Sequence, residues 1–282
     1  MNNTTLEQQT TNSKPKGGYA AVNGMEMYYE ISGTGTPLIL LHGGFGSTEM
    51  FTEVLLPALS AERQVIGVDL QGHGRTADID RPLSWELMAD DIGAFIQHLK
   101  LEQADVMGYS LGGGVALQTA IRYPELVRKV VVVSAPFKRE DNHPEILASM
   151  EQLGAHTAQH MLQTPMYEHY AKIAPKPEDW SALWGKMGDL MRQDYDFTQD
   201  IAATKVPMLI VAGDSDFIAP VHVAKFFGLL GGGQRDGGWD GSGMSNSRLA
   251  ILPGTTHYNI IDSPLLAAFI TPFLETAVPN TK

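Results

Sequence analysis

Short runs of β-branched and other apolar residues alternate along this chain with longer amphipathic stretches, and that alternation restricts the fold more than any other feature. A strand buried on both faces reads as a near-continuous apolar run, and two such strands laid parallel need a long crossover, usually a helix, between them. The runs Leu38–Leu41, Gln64–Val68, Ala104–Met107, Val127–Val133, Met208–Val211 and Arg248–Leu252 have this character. Stretches at Met50–Leu59, Trp85–Leu99, Gly112–Arg122, Val221–Leu229 and Leu265–Thr276 carry the helical period, and Ser84 is placed to cap the second of them. Ahead of these, Tyr19–Val22 and Met27–Ile31 flank Asn23-Gly24, a dipeptide that two-residue hairpin turns favour. A hairpin followed by repeated strand and helix predicts an α/β chain, with an eight-stranded, mostly parallel sheet covered by helices on both faces.

Between Lys138 and Thr204 the alternation stops. No strand pattern occurs there, and Pro144, Pro165, Pro175 and Pro177 punctuate the interval into about three or four helices, because proline lacks the N–H that a helix interior needs. The interval 138–204 is read as a helical cap inserted into a core made of 19–137 and 205–282. Residues 1–18 are rich in Asn, Thr, Gln and Lys, and after Met1 only Leu6 is large and apolar before Tyr19. They are expected to form a disordered tail, with no apolar segment of the kind a secretory signal requires.

Composition removes several classes of function. Thirty-two acidic residues against 20 basic ones give a net charge of −12, which disfavours a nucleic-acid backbone or an anionic membrane as partner. There are no cysteines, so disulfides, thiolate metal sites and thiol catalysis are excluded. No apolar run is long enough to span a bilayer, which makes a cytoplasmic protein acting on a small molecule the expectation. Oligomeric state is left open.

The chemistry concentrates at Gly108-Tyr109-Ser110-Leu111-Gly112, between the end of one expected strand and the start of the next helix. A nucleophile lifted above a sheet edge sits on a strained turn, and the residues two before and two after it must be small for strand and helix to approach. Gly108 and Gly112 meet that need. The helix N-terminus then directs free N–H groups, beginning with that of Leu111, at the place where negative charge would develop on a substrate oxygen.

With these motifs the chain resembles the α/β-hydrolase family over nearly everything from Tyr19 to Thr276. Leu41-His42-Gly43-Gly44-Phe45-Gly46 is similar to the family's oxyanion loop, which implies Gly44 N–H as a second donor. Asp69-Leu70-Gln71-Gly72-His73-Gly74-Arg75 resembles a structural loop of the family, and His73 precedes the serine although the family orders its triad as serine, acid, histidine. The resemblance implies Asp216 as the acid, with Asp214 bracing the turn, and His257 as the base, although Thr256 stands where relatives often carry glycine. No cofactor and no metal are implied. The activity implied is hydrolysis of carboxylic esters or lactones, with acyl-homoserine lactones among them, through a Ser110 acyl-enzyme. A cofactor-free perhydrolase or haloperoxidase with the same triad, and a non-catalytic ligand-binding protein, are the alternatives.

Three other features belong to the same reading. Phe45, Trp180 and Trp184 are candidates for substrate contact, while the Met and Trp side chains of the insertion suit an acyl pocket and the insertion's own core equally well. His156 and His160, four apart with His169 nearby, are read as exposed helix histidines and not as metal ligands. The glycine-rich segment Gly231–Gly243 is expected at the amino end of the sheet, opposite Ser110, as an ordered turn with Trp239 as its anchor.

Overall fold

A computed structural model describes residues 16–277. Its strands are β1 (Lys16–Val22), β2 (Met25–Ser32), β3 (Thr36–Leu41), β4 (Arg63–Val68), β5 (Ala104–Tyr109), β6 (Val127–Val133), β7 (Met208–Ser215) and β8 (Arg248–Thr256). They form one sheet in the order β1-β2-β4-β3-β5-β6-β7-β8. β2 pairs antiparallel with β1 and β4, and every other neighbouring pair is parallel. At the hairpin, Asn23 and Gly24 have φ of 45° and 87°, the two positive values a right-twisted two-residue turn demands.

Most of the expected tail lies outside the described residues, but its last three belong to the sheet. Lys16, Gly17 and Gly18 pair with Ile31, Glu30 and Tyr29, so β1 starts earlier than Tyr19. The rings of Tyr28 and Tyr29 lie across Gly17 and Gly18, so the cover here comes from the opposing strand.

The helices are α1 (Leu55–Ser60), α2 (Trp85–His98), α3 (Leu111–Arg122), α4 (Pro144–Glu151), α5 (Pro165–Ile173), α6 (Trp180–Arg192), α7 (Thr198–Ala203), α8 (Pro220–Leu229) and α9 (Pro264–Glu275). One expected helix, Met50–Leu59, is instead a 3₁₀ turn at Thr48–Phe51 followed by the short α1. Pro57 accounts for the break: a continuous helix would have needed its missing N–H, whereas restarting at Leu55 puts the proline in a first turn. Ser84 caps α2 as expected, accepting the Leu87 N–H at 3.1 Å.

Period-two alternation divides the core. Ile39, Leu41, Val130 and Val132 face a layer containing α2, α3 and α8, and Leu38, Leu40, Val131 and Val133 face α1 and α9. Between β6 and β7 the chain runs through α4 to α7, from which Leu183, Trp184 and Met187 of α6 are buried with the first layer. Lys186 Nζ fastens α6 to the loop after β4, donating to Asp78 Oδ2 and to the Ile79 carbonyl, both at 2.7 Å. Among the described residues no helix is long and apolar enough to cross a membrane.

A buried lysine ties the last helix to the sheet. Lys129 on β6 donates to the carbonyls of Phe273 (2.6 Å), Leu274 (3.0 Å) and Thr276 at the end of α9, where helix geometry leaves carbonyls without partners. Lys129→Met keeps the apolar stem and removes the donors. It is expected to cost about 1–3 kcal/mol of unfolding free energy, read as a lower urea midpoint with unchanged slope.

Candidate active site

Ser110 occupies the turn between β5 and α3 with φ 53° and ψ −115°, a conformation few side-chain-bearing residues adopt. The close approach of strand and helix imposes it. A Cβ on Gly108 would lie 1.8 Å from the Gly112 carbonyl oxygen, and one on Gly112 would lie 2.2 Å from that of Leu41. Glycine is the one residue type that fits either position. The Gly112 N–H also donates to the His42 carbonyl at 3.0 Å, which stitches the start of α3 to the loop after β3.

Three side chains from separate strand ends meet here. His257 Nε2 is 3.1 Å from Ser110 Oγ, and His257 Nδ1 is 3.1 Å from Asp216 Oδ1. Asp216 is buried and accepts further hydrogen bonds from the Ser134 hydroxyl (2.5 Å), Gly213 N–H (3.2 Å) and Phe217 N–H (2.8 Å). Burial pushes its carboxyl up, but the bonds from His257, Ser134 and Gly213 outweigh burial and hold it below the usual carboxylate range. A charged carboxylate at Nδ1 favours the tautomer that leaves Nε2 free to accept the serine proton. Asp214 is exposed and accepts the Gly254 N–H at 3.0 Å, bracing the two loops away from the imidazole.

The loop after β3 lies beside the serine. A Cβ on Gly43 would meet Ser110 Cβ at 3.5 Å, and one on Gly44 would meet Met187 Cε of α6 at 2.9 Å. Among the described residues neither the Gly44 N–H nor the Leu111 N–H has an acceptor, so both are free for a substrate oxygen. Phe45, next in the loop, has φ 61° and stacks on Trp184 at 4.2 Å, while Trp180 meets its edge at 5.8 Å. Trp180 is otherwise committed to the helical segment, its Nε1 donating to the Ala158 carbonyl at 3.1 Å.

The loop after β4 acts as a frame. His42 donates through Nδ1 to the Gly43 carbonyl (2.7 Å) and accepts the Leu70 N–H at Nε2 (3.0 Å), a pairing that requires a neutral ring. Asp69 accepts the N–H groups of Thr48 and Arg75, each at 2.7 Å. His73 is buried and bonded to the Gln71 carbonyl, and it takes no part in the Ser110 hydrogen bonds.

His156 and His160 are exposed but share no helix, His156 lying in a turn and His160 in a 3₁₀ turn at Ala158–Met161, and His169 bonds Ser47 Oγ at 2.9 Å. Among the described residues no group of three or more His, Cys, Asp or Glu side chains could hold a metal ion. Gly231–Gly243 joins α8 to β8 and so lies at the amino end of the parallel strands. Trp239 does not anchor it: the indole is fully exposed, and the turns are held by Asp236 and Asp240, which accept the N–H groups of Gly238 and Ser242. Met187 is among the insertion methionines weighed for an acyl pocket, but sequence reasoning missed Ser134, Tyr109 and Phe217 as neighbours of the site. Of these, only Ser134 carried a signal, standing just after a β-branched run at the sheet edge that bears Ser110.

The chain is similar to known proteins in both sequence and fold. Residues 36–172 match the model of the alpha/beta hydrolase fold. The AB hydrolase superfamily protein YisY of Bacillus subtilis is 30% identical over 220 residues, covering 71% of this chain and 81% of that protein. A non-heme haloperoxidase of Rhodococcus erythropolis is 28% identical over 265 residues, 84% of this chain and 91% of that one. The crystal structure of the carboxylesterase CesB from Bacillus subtilis superposes with a TM-score of 0.72 at 19% identity, covering 94% of this chain and 93% of that one. The chain belongs to the α/β-hydrolase fold family.

The frame histidines set an acid limit. Burial holds the imidazole of His42 down at about 4 and that of His73 at about 3, against 6.5 for a free ring. The unfolded chain therefore takes up two protons in a window where the folded chain refuses them, and stability falls as pH drops through it. Asp69 opposes this with one proton, because burial raises its carboxyl to about 6 and the folded chain binds that proton first. These groups together are expected to remove about 1.4 kcal/mol per pH unit between roughly pH 6 and 4. Urea titrations at pH 6, 5 and 4 read this directly, and a flat profile would contradict it.

Proposed function

We propose that the protein hydrolyses uncharged carboxylic esters or lactones of small to medium acyl chain, acyl-homoserine lactones among them, through a Ser110 acyl-enzyme. The observation that carries the proposal is the chain of hydrogen-bond distances from Ser110 Oγ to His257 to Asp216, beside two N–H groups without acceptors. In this reading His257 Nε2 takes the serine proton as Oγ attacks the acyl carbon. Asp216 steadies the imidazolium, and the N–H groups of Gly44 and Leu111 hold the oxyanion. The intermediate expels the alkoxide, which takes its proton from His257. Water, deprotonated by the same nitrogen, then releases the acid.

The segment 138–204 acts in this proposal as a cap over a core of 19–137 and 205–277. The position of Met187 against Gly44 and of Trp184 against Phe45 supports that role, and it makes Phe45 and Trp184 an aromatic surface shared by the oxyanion loop and the segment. The similarity to a haloperoxidase over most of both chains favours one second reading, in which peroxide replaces water in the deacylation step and yields a peracid.

A fluorophosphonate probe is expected to label the wild type and not Ser110→Ala. The same substitution should lower kcat on p-nitrophenyl esters by roughly 10⁴–10⁶-fold. An unlabelled wild type would sink the nucleophile assignment and favour a ligand-binding protein. Strong peracid formation with negligible ester turnover would decide for the perhydrolase reading.

A further inference from the structure

The imidazole of His257 has three aromatic neighbours, Phe217, Tyr109 and Tyr258. The Phe217 ring lies with its centroid 3.7 Å away at an interplanar angle of 36°, and the Tyr109 ring lies 5.2 Å away at 30°. Tyr109 has a complete packing role, since its hydroxyl donates to the His257 carbonyl at 2.6 Å and joins the nucleophile turn to the loop after β8. Phe217 differs. Its hydrogen bonds run through the backbone alone, and the residue stays partly exposed at the site.

Phe217 makes three contacts that converge on the base. Its N–H donates to Asp216 Oδ1 at 2.8 Å, the same oxygen that faces His257 Nδ1. Its carbonyl accepts the His143 N–H at 3.2 Å, and the adjoining Ile218 pairs with Asn142, so the backbone is fixed against the segment leading into α4. The ring then closes one face of the imidazole. The last torsion of a histidine side chain has broad minima, and a single hydrogen bond at Nδ1 leaves Nε2 free to swing. A ring in contact with the imidazole face removes that swing.

We infer that Phe217 is a positioning residue for His257, with its N–H setting the carboxylate oxygen and its ring holding Nε2 on the line to Ser110. This inference rests on the proposed acyl transfer. A displacement of about 1 Å at such a centre costs on the order of 100-fold in rate. Stacking also places the imidazole protons in the shielding region above the phenyl face.

The test compares Phe217→Leu, which keeps apolar bulk without a ring, with Phe217→Tyr, which keeps the ring. Phe217→Leu is expected to lower kcat on a p-nitrophenyl ester and the rate of fluorophosphonate labelling by about 10- to 100-fold, with KM changed less than about twofold and final labelling still complete. Phe217→Tyr is expected to restore both rates to within about threefold. The upfield shift of the His257 ring protons in NMR spectra should survive in the tyrosine variant and shrink in the leucine variant, where only the more distant Tyr109 and Tyr258 rings remain. Phe217→Met replaces the leucine variant where that one does not fold. Wild-type rates in the leucine or methionine variant, or a tyrosine variant as slow as the leucine one, would overturn the inference. A wild type that the probe does not label defeats the proposed function instead.

Discussion

The contact between Gly108 and Gly112 is the constraint on which the rest of the site depends. Strand β5 and helix α3 approach until a side chain at either glycine would overlap backbone. That approach forces Ser110 to positive φ and carries its Oγ above the sheet edge. It also leaves the Leu111 N–H open beside the serine, and it brings the Gly112 N–H to the His42 carbonyl. Backbone strain of this kind costs about 1–3 kcal/mol. The sheet on which it rests is buried on both faces, and that burial offsets the cost.

Given a raised serine, the sheet must deliver the other groups to it. Neighbouring strands lie about 4.8 Å apart, so β8 stands roughly 14 Å from β5, with β6 and β7 between. Ser110 and His257 nevertheless meet. The ladder between β7 and β8 slips at Gly213 to Ser215, and β8 continues to Thr256, so the ends of both strands project past the edge of β6. β6 stops at Val133, and Ser134 turns away with φ 51°, which clears the space those ends cross. Its hydroxyl then meets the carboxylate that arrives there. Phe45, Ser110 and Ser134 therefore share an unusual backbone sign for one reason: each ends or follows a strand at the crowded carboxyl edge.

Features set by local chemistry were legible in the sequence. Apolar β-branched runs, the Asn23-Gly24 turn and the glycine spacing around Ser110 all depend on nearest neighbours or on the sheet's two faces, whereas Asp216 and His257 were picked out through the family resemblance. The break before α1 was legible in principle, since Pro57 stands in the sequence, but the helical period across Met50–Leu59 masked it. Tyr109 and Phe217 could not be read this way. Tyr109 reaches a carbonyl 148 positions away, and the Phe217 ring touches a residue on another loop. Nothing in the local pattern marks either one, because tyrosine and phenylalanine suit a sheet edge equally well with or without an imidazole to cover. Trp239 shows the reverse error. A tryptophan among glycines suggested an anchor, yet the aspartates at 236 and 240 hold the turns through their own backbone bonds and leave the indole in water.

The helical segment between β6 and β7 reaches the site from two sides. Through α5 and α6 it meets the loop after β3, with His169 on Ser47, Met187 over Gly44 and Trp184 on Phe45. At its start, His143 and Asn142 bond to Phe217 and Ile218 beside the carboxylate. The core supplies every group in the proposed proton transfer, while the segment touches the oxyanion loop and the acid loop without entering that transfer. Substitutions in the segment that change how an acyl chain fits are therefore mechanically connected to both loops. Those on the outer face of α4, which has no fully buried residue, have the weakest connection and the most freedom to vary.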